Sequence, residues 1–109
     1  MPLAALHCSS EHASHRLDDE QIAARLAELP GWQVQDRALV SNFGFADYYE
    51  TIAFVNALAW IAHGENHHPD LSVHYNRVQV EWSTHDAGGL TLNDFICAAK
   101  CQALANGPA

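Results

Sequence analysis

Residues 78–85, VQVEWSTH, set the tightest limit on the fold of this chain. Val78, Val80, Trp82 and Thr84 fall on one side of an extended backbone; Gln79, Glu81, Ser83 and His85 fall on the other. Side chains alternate across a strand, whereas a helix brings together residues three and four apart. The segment is therefore expected as a strand with one buried face. Such a strand needs hydrogen-bonding neighbours and a second layer over its apolar side.

The neighbours are legible nearby. Leu71 to Tyr75 reads as a strand joined to Val78 by a turn at Asn76-Arg77. Upstream, WQVQDRALVSNFGF reads as a hairpin: Trp32 and Val34 alternate with glutamines, Asp36-Arg37 turns the chain, and Leu39, Ser41, Phe43 and Phe45 line one face. Three helical patterns separate and flank the hairpins. The first opens on a capping-box pair, Asp18 and Gln21, carries Ile22, Leu26 and Leu29 on one stripe, and stops at Pro30-Gly31. The second opens with Asp47 and Glu50. Ile52, Val55, Ala59 and Ala62 form its expected core stripe, and Phe54, Leu58 and Ile61 widen the apolar arc, enough for a second layer or another subunit. It should end near Asn66, ahead of Pro69. The third begins at Thr91 and Asp94 and runs to about Asn106. The expected fold is α+β: two layers, a four-stranded antiparallel sheet with three helices on one face, in the order α-β-β-α-β-β-α. Residues 1–15 are expected as a mobile tail and 16–107 as a single domain.

Of the 109 residues 49% are apolar and 17% charged, as in a globular domain rather than a disordered chain. The formal net charge of -8 opposes binding to nucleic acid or to anionic membranes. No apolar run approaches the roughly 20 residues that span a bilayer, and the first residues lack the pattern of a secretory signal. Cys8, Cys97 and Cys101 are odd in number and have no C-x-x-C spacing. They are expected as reduced, partly buried thiols of a cytoplasmic protein.

The chemistry-bearing stretch is ENHHPD, residues 65–70. Adjacent imidazoles both need polar partners, so two of them before a proline point to use rather than burial. His67 and His68 follow the second helix, His85 ends the last strand, and Asp94 lies in the first turn of the last helix. A helix end and a strand end meeting at one rim would gather these four residues into a pocket. Imidazole is the usual proton carrier near neutral pH, and two of them can hold opposite protonation states. That suits a reaction in which one proton is given and one taken, such as loss of water across a carbon–nitrogen bond. Each residue also has a plainer role: His68 as a helix C-terminal cation, His85 as an exposed strand residue, Asp94 as the partner of Thr91 in a T-x-x-D cap. His63-x-x-x-His67 with His85 offers a rival metal reading, but Gly64 stands where H-E-x-x-H carries its glutamate, and no metal site is expected.

His67-His68-Pro69, Tyr75-Asn76, Ser83-Thr84-His85, Gly89-Leu90 and Asp94, in that order and at those intervals, resemble the signature of the pterin-4a-carbinolamine dehydratases. Leu29 to Trp32 (LPGW) and Phe43 to Phe45 also fit. One position departs: the family commonly has an acidic residue four before the first histidine of the pair, where this chain has His63. The resemblance implies a lyase without metal or cofactor that dehydrates a 4a-hydroxytetrahydropterin to quinonoid dihydropterin, recycling the product of aromatic amino acid hydroxylases. It implies proton transfer by His67 and His85, pterin binding by His68 and support of the histidines by Asp94. It also implies a pterin site lined by Asn66 to His68 and Ser83 to Asp86, that is Asn66, His67, His68, Ser83, Thr84, His85 and Asp86. Some relatives act as dimerisation partners of a transcription factor, so an interaction module is the rival from another class. The apolar residues of the last helix (Phe95, Ile96, Cys97, Ala99, Cys101, Leu104) point to self-association, as a dimer or tetramer through helices.

Overall fold

In a computed structural model, which describes residues 2–107, the sheet contains β1 (Gln33–Gln35), β2 (Ala38–Gly44), β3 (Asp70–Val73) and β4 (Arg77–Trp82). They lie in the order β1-β2-β4-β3, all antiparallel. Register turns the sequence alternation into rows across the sheet. Phe43 and Val78 form one inward row, which ends at the exposed edge residue Val73; Ser41, Val80 and Leu71 form the next, and Leu39 and Trp82 a third. Leu39, Val78, Val80 and Trp82 are fully buried. The row of Asn42, Gln79 and Ser72 lies on the other face with partial to full exposure, whereas Val40 on that same face is buried. The β1–β2 turn holds both Asp36 (φ 49°) and Arg37 (φ 65°) in the left-handed region. Positive φ at both central residues is the twist that tight hairpins require.

Among the described residues four α-helices accompany the sheet: α1 (Ser10–Ala13), α2 (Asp19–Leu26), α3 (Tyr48–Glu65) and α4 (Leu92–Asn106). The expected caps are present. Asp18 and Gln21 form the capping box of α2, and Asp47 accepts from the Glu50 N–H at the start of α3. Asn66 ends α3 with φ 52° and ψ 41°, the left-handed C-terminal geometry that asparagine tolerates. α4 is the central helix. Phe95, Ile96, Cys97, Ala98 and Cys101 have no exposed surface.

Four expectations are corrected. Of the expected tail, residues 1–15, the described part, residues 2–15, packs on the domain: Leu3 is 4% exposed within the core cluster, and the Cys8 N–H donates to Glu65 Oε1 at 2.7 Å. α2 covers little of the sheet; Ile22 and Leu26 are only half-buried against the core. On α3 the inner stripe is Thr51, Phe54, Leu58 and Ala62, whereas Ala59 is exposed. The two apolar stripes overlap, and the Phe54 ring, packed on Phe43 and Phe45 with centroids 5.3 and 5.1 Å away, decides which one faces inward. Finally, the apolar residues of α4 are consumed inside the monomer. The two most exposed large apolar side chains among the described residues are on α3 instead, Tyr49 at 84% and Trp60 at 78%.

Candidate functional site

The strand β4 ends at Trp82, and the chain after it is built from the backbone outward. Thr84 bridges to Gly89, and a 3-10 turn over His85–Ala87 closes the loop at Gly88, whose φ is 73°. His85 therefore starts a turn rather than ending the strand. Thr84 still faces inward as the alternation required, and His85 outward. Directly beyond the loop, Thr91 caps α4, so the first turn of α4 and the end of β4 are neighbours.

Asp94 occupies that first turn and is wholly buried. Its Oδ2 accepts from the Thr91 N–H at 2.9 Å and from the Thr84 hydroxyl at 2.8 Å. Thr84 has one proton to give, so the 2.9 Å contact between Thr84 and Thr91 hydroxyls has Thr91 as donor. Asp94 Oδ1 lies 2.7 Å from His67 Nε2. A carboxylate surrounded by donors accepts only, so Nε2 carries the proton and Nδ1 of a neutral His67 keeps its lone pair. The His67 side chain is 14% exposed. Its ring stacks on the Trp82 indole, centroids 5.7 Å apart and planes 19° from parallel. The left-handed Asn66 turns the chain so that His67 faces this network while His68 stays exposed.

Thus His67 and Asp94 are in direct contact. His85 is next in sequence to Thr84, exposed, with Nε2 3.5 Å from Ser83 Oγ. It lines a shallow cleft of about 170 Å³ with Asp36, Arg37, Ser83 and Gly88. Asp86 is exposed beside it. Thr84, expected among the pterin contacts, has its hydroxyl committed to Asp94 and Thr91. His63 is exposed and leans against Trp60, ring centroids 6.3 Å apart, apart from the His67 network. Among the described residues no three His, Cys, Asp or Glu side chains converge as a metal site.

Sequence reasoning missed Glu65, because its partners lie more than 30 residues away along the chain. It accepts from the Cys8 N–H, contacts His7 Nδ1 at 2.9 Å and sits 3.6 Å from Lys100 Nζ. Burial pushes the Glu65 carboxyl up, but the Cys8 N–H, His7 and Lys100 together outweigh it and the net shift is downward. A carboxylate depressed on folding adds stability above its unfolded value, about 4.3, and loses it as pH falls through the folded one. Accordingly Glu65→Gln should lower the thermal midpoint by a few degrees at pH 7, and the gap from the unmodified chain should close at acid pH. Paired melts from pH 7 down to pH 2 measure it; a gap constant across that range would contradict the assignment.

A comparison with known proteins matches residues 15–104 to the family described as pterin 4 alpha carbinolamine dehydratase. A protein of Chromobacterium violaceum bearing the name "Putative pterin-4-alpha-carbinolamine dehydratase" is 56% identical over 108 residues, covering 99% of this chain and 100% of that protein. A protein of the same name from Xanthomonas oryzae pv. oryzae is 56% identical, covering 95% and 91%. Among solved structures, a transcriptional coactivator/pterin dehydratase from Brucella melitensis superposes with a TM-score of 0.80 at 34% identity, covering 84% of this chain and 99% of that one. A pterin dehydratase-like protein, identified as a RuBisCO assembly factor in the alpha-carboxysome, shares the fold at a TM-score of 0.58 and 22% identity, covering 89% and 98%.

Proposed function

Because the chain belongs to the pterin 4 alpha carbinolamine dehydratase family, we propose that it removes water from a 4a-hydroxytetrahydropterin by histidine acid–base catalysis and so serves pterin recycling after aromatic hydroxylation. The observation that carries the reading is the 2.7 Å contact between His67 Nε2 and the buried Asp94 carboxylate. In the substrate, C4a bears the hydroxyl and N5 beside it bears a proton. The N5 electron pair expels the hydroxyl while a base takes the N5 proton and an acid protonates the departing oxygen. Asp94 holds the Nε2–H of His67, which leaves Nδ1 as the base. His85, exposed at the start of its turn, is the acid, protonating the leaving hydroxyl as an imidazolium. His68 and the backbone of Asn66 contact the pterin from the α3 side, Ser83 and Asp86 from the loop side; Thr84 acts through Asp94. Each well-placed proton-transfer group contributes about 10²–10⁴-fold. The C4a hydroxyl already leaves unaided, so two such groups suffice without a metal or cofactor.

The test is the rate of water loss from 4a-hydroxytetrahydropterin generated in the cuvette. The chelated protein should accelerate it, and a rate equal to that without protein would reject the assignment.

The self-association half of the reading moves from α4 to α3. Tyr49 and Trp60 are exposed on this helix, and Tyr48, Tyr49, Ile52, Ala53 and Asn56 line a groove of about 380 Å³. Monomeric proteins rarely leave so much aromatic surface on one helix. A dimer or tetramer joined through α3 should sediment as such, and Trp60→Glu should shift it toward the monomer. Sedimentation velocity of the two proteins checks this; an unmodified chain that sediments as a monomer at micromolar concentration would remove the proposal.

A further inference from the structure

Cys8 and Cys97 lie 89 positions apart in the chain, yet their sulfurs are 3.4 Å apart. Two features bring them together. The Cys8 N–H is held by Glu65, and the next residue, Ser9, is clamped by Asn93 in both directions. Ser9 N–H donates to Asn93 Oδ1 at 3.1 Å, and Asn93 Nδ2 donates to the Ser9 carbonyl at 2.9 Å. Asn93 is one turn before Cys97 on α4. The backbone on both sides of the thiol pair is therefore already fixed. A disulfide bond is roughly 2.0 Å long, so closure needs the sulfurs to approach by only a little more than 1 Å.

The two thiols differ in access. Cys97 is fully buried, and Cys8 is half-buried. Cys8 borders a groove of about 330 Å³ that also contains Glu65, Asn66, His67 and Asn93. A small solute entering this groove meets Cys8 first. The Cys97 thiol is pushed up, foremost by its hydrogen bond with Cys8 and then by burial, so it keeps its proton until a partner draws it off. Cys101 is buried, and burial pushes its thiol up to about 12.

We propose that Cys8 and Cys97 are a reversible redox-modification site that closes to an intramolecular disulfide when the protein meets a hydroperoxide. The Cys8 sulfur attacks the peroxide oxygen, the O–O bond breaks, and Cys8 becomes a sulfenic acid as the peroxide leaves as water or alcohol. The Cys97 sulfur then displaces the hydroxyl from Cys8, and its proton leaves with that hydroxyl as water. Two thiols and one hydroperoxide give one disulfide, one alcohol (or water) and one water. The bond ties the segment containing Cys8 to α4 one turn from Asp94.

Trypsin makes the outcome readable, because cleavage after Lys100 separates Cys97 from Cys101, leaving the three cysteines in residues 1–16, 78–100 and 101–109. The reduced full-length protein is treated with hydrogen peroxide, alkylated under denaturing conditions and digested. The expected product links residues 1–16 to residues 78–100, alkylates only Cys101, and raises the thermal midpoint; dithiothreitol restores three alkylatable thiols. In Cys8→Ser, which keeps the backbone contact to Glu65, both remaining cysteines should stay alkylatable. A Cys8 sulfinic acid with Cys97 still alkylated, a link between residues 78–100 and 101–109, a link between two copies of residues 1–16, or three unmodified thiols would each overturn the proposal.

Discussion

Replacing His67 by alanine is expected to lower the protein-dependent rate of 4a-hydroxytetrahydropterin dehydration by about 10²–10⁴-fold, with the fold intact. The loss is large because the orientation of His67 is fixed twice. Asp94 holds Nε2, and the Trp82 indole holds the ring plane. The fold survives because Asp94 keeps its two other donors, the Thr84 hydroxyl and the Thr91 N–H. His85→Ala should cause a loss of the same order through the other proton, and the double variant should fall by less than the product of the two, since base and acid act in one step. Stopped-flow traces of the dehydration, with circular dichroism to establish folding, make the measurement. A folded His67→Ala protein within threefold of the unmodified rate would take His67 out of the reaction.

How far these residues can be placed from sequence differs from one to the next, for physical reasons. A period of two fixes which side of β4 is buried, and the rows through Val78, Val80 and Trp82 follow from it. The caps at Asp18 and Asp47 and the stop at Asn66 are local chemistry within four residues, and all three are present. Asp94 is readable as a cap of α4 and is expected to support the histidines; its cap bond to the Thr91 N–H and its contact with His67 are both present. The segment around Leu3 and Cys8 is not readable. It has no periodicity, and what holds it, Glu65 and Asn93, comes from far along the chain. The inner face of α3 is ambiguous because its two apolar stripes share Ala62, so that periodicity alone does not choose between them. Alternation puts His85 on the outward side of the chain, as found, but in the wrong element, because the backbone turns at His85, three residues before the first glycine of DAGG makes the break visible.

Asp94→Asn is the substitution that separates holding a histidine from merely filling space. The side chain keeps its shape, but one oxygen becomes an NH₂ group. That group cannot face the Thr91 N–H, which is a backbone donor with no alternative, so it turns toward His67, and the carbonyl keeps Thr91 and Thr84. Two donors would then meet between the new amide and His67 Nε2. The imidazole resolves this by moving its proton to Nδ1 and accepting through Nε2. The atom that should take the N5 proton is now occupied, and the rate should fall about 10²–10⁴-fold with a stability loss of only about 1–3 kcal/mol. Asp94→Ala, by contrast, leaves three donors facing an empty buried space and should cost more, on the order of 3–5 kcal/mol. Nitrogen-15 chemical shifts of the His67 ring report the tautomer directly, independent of turnover. The unmodified protein should carry the proton on Nε2 and the asparagine variant on Nδ1, with the rate falling in step. An asparagine variant that kept the proton on Nε2 and lost its activity all the same would show that Asp94 acts on the reaction by some other route than the tautomer of His67.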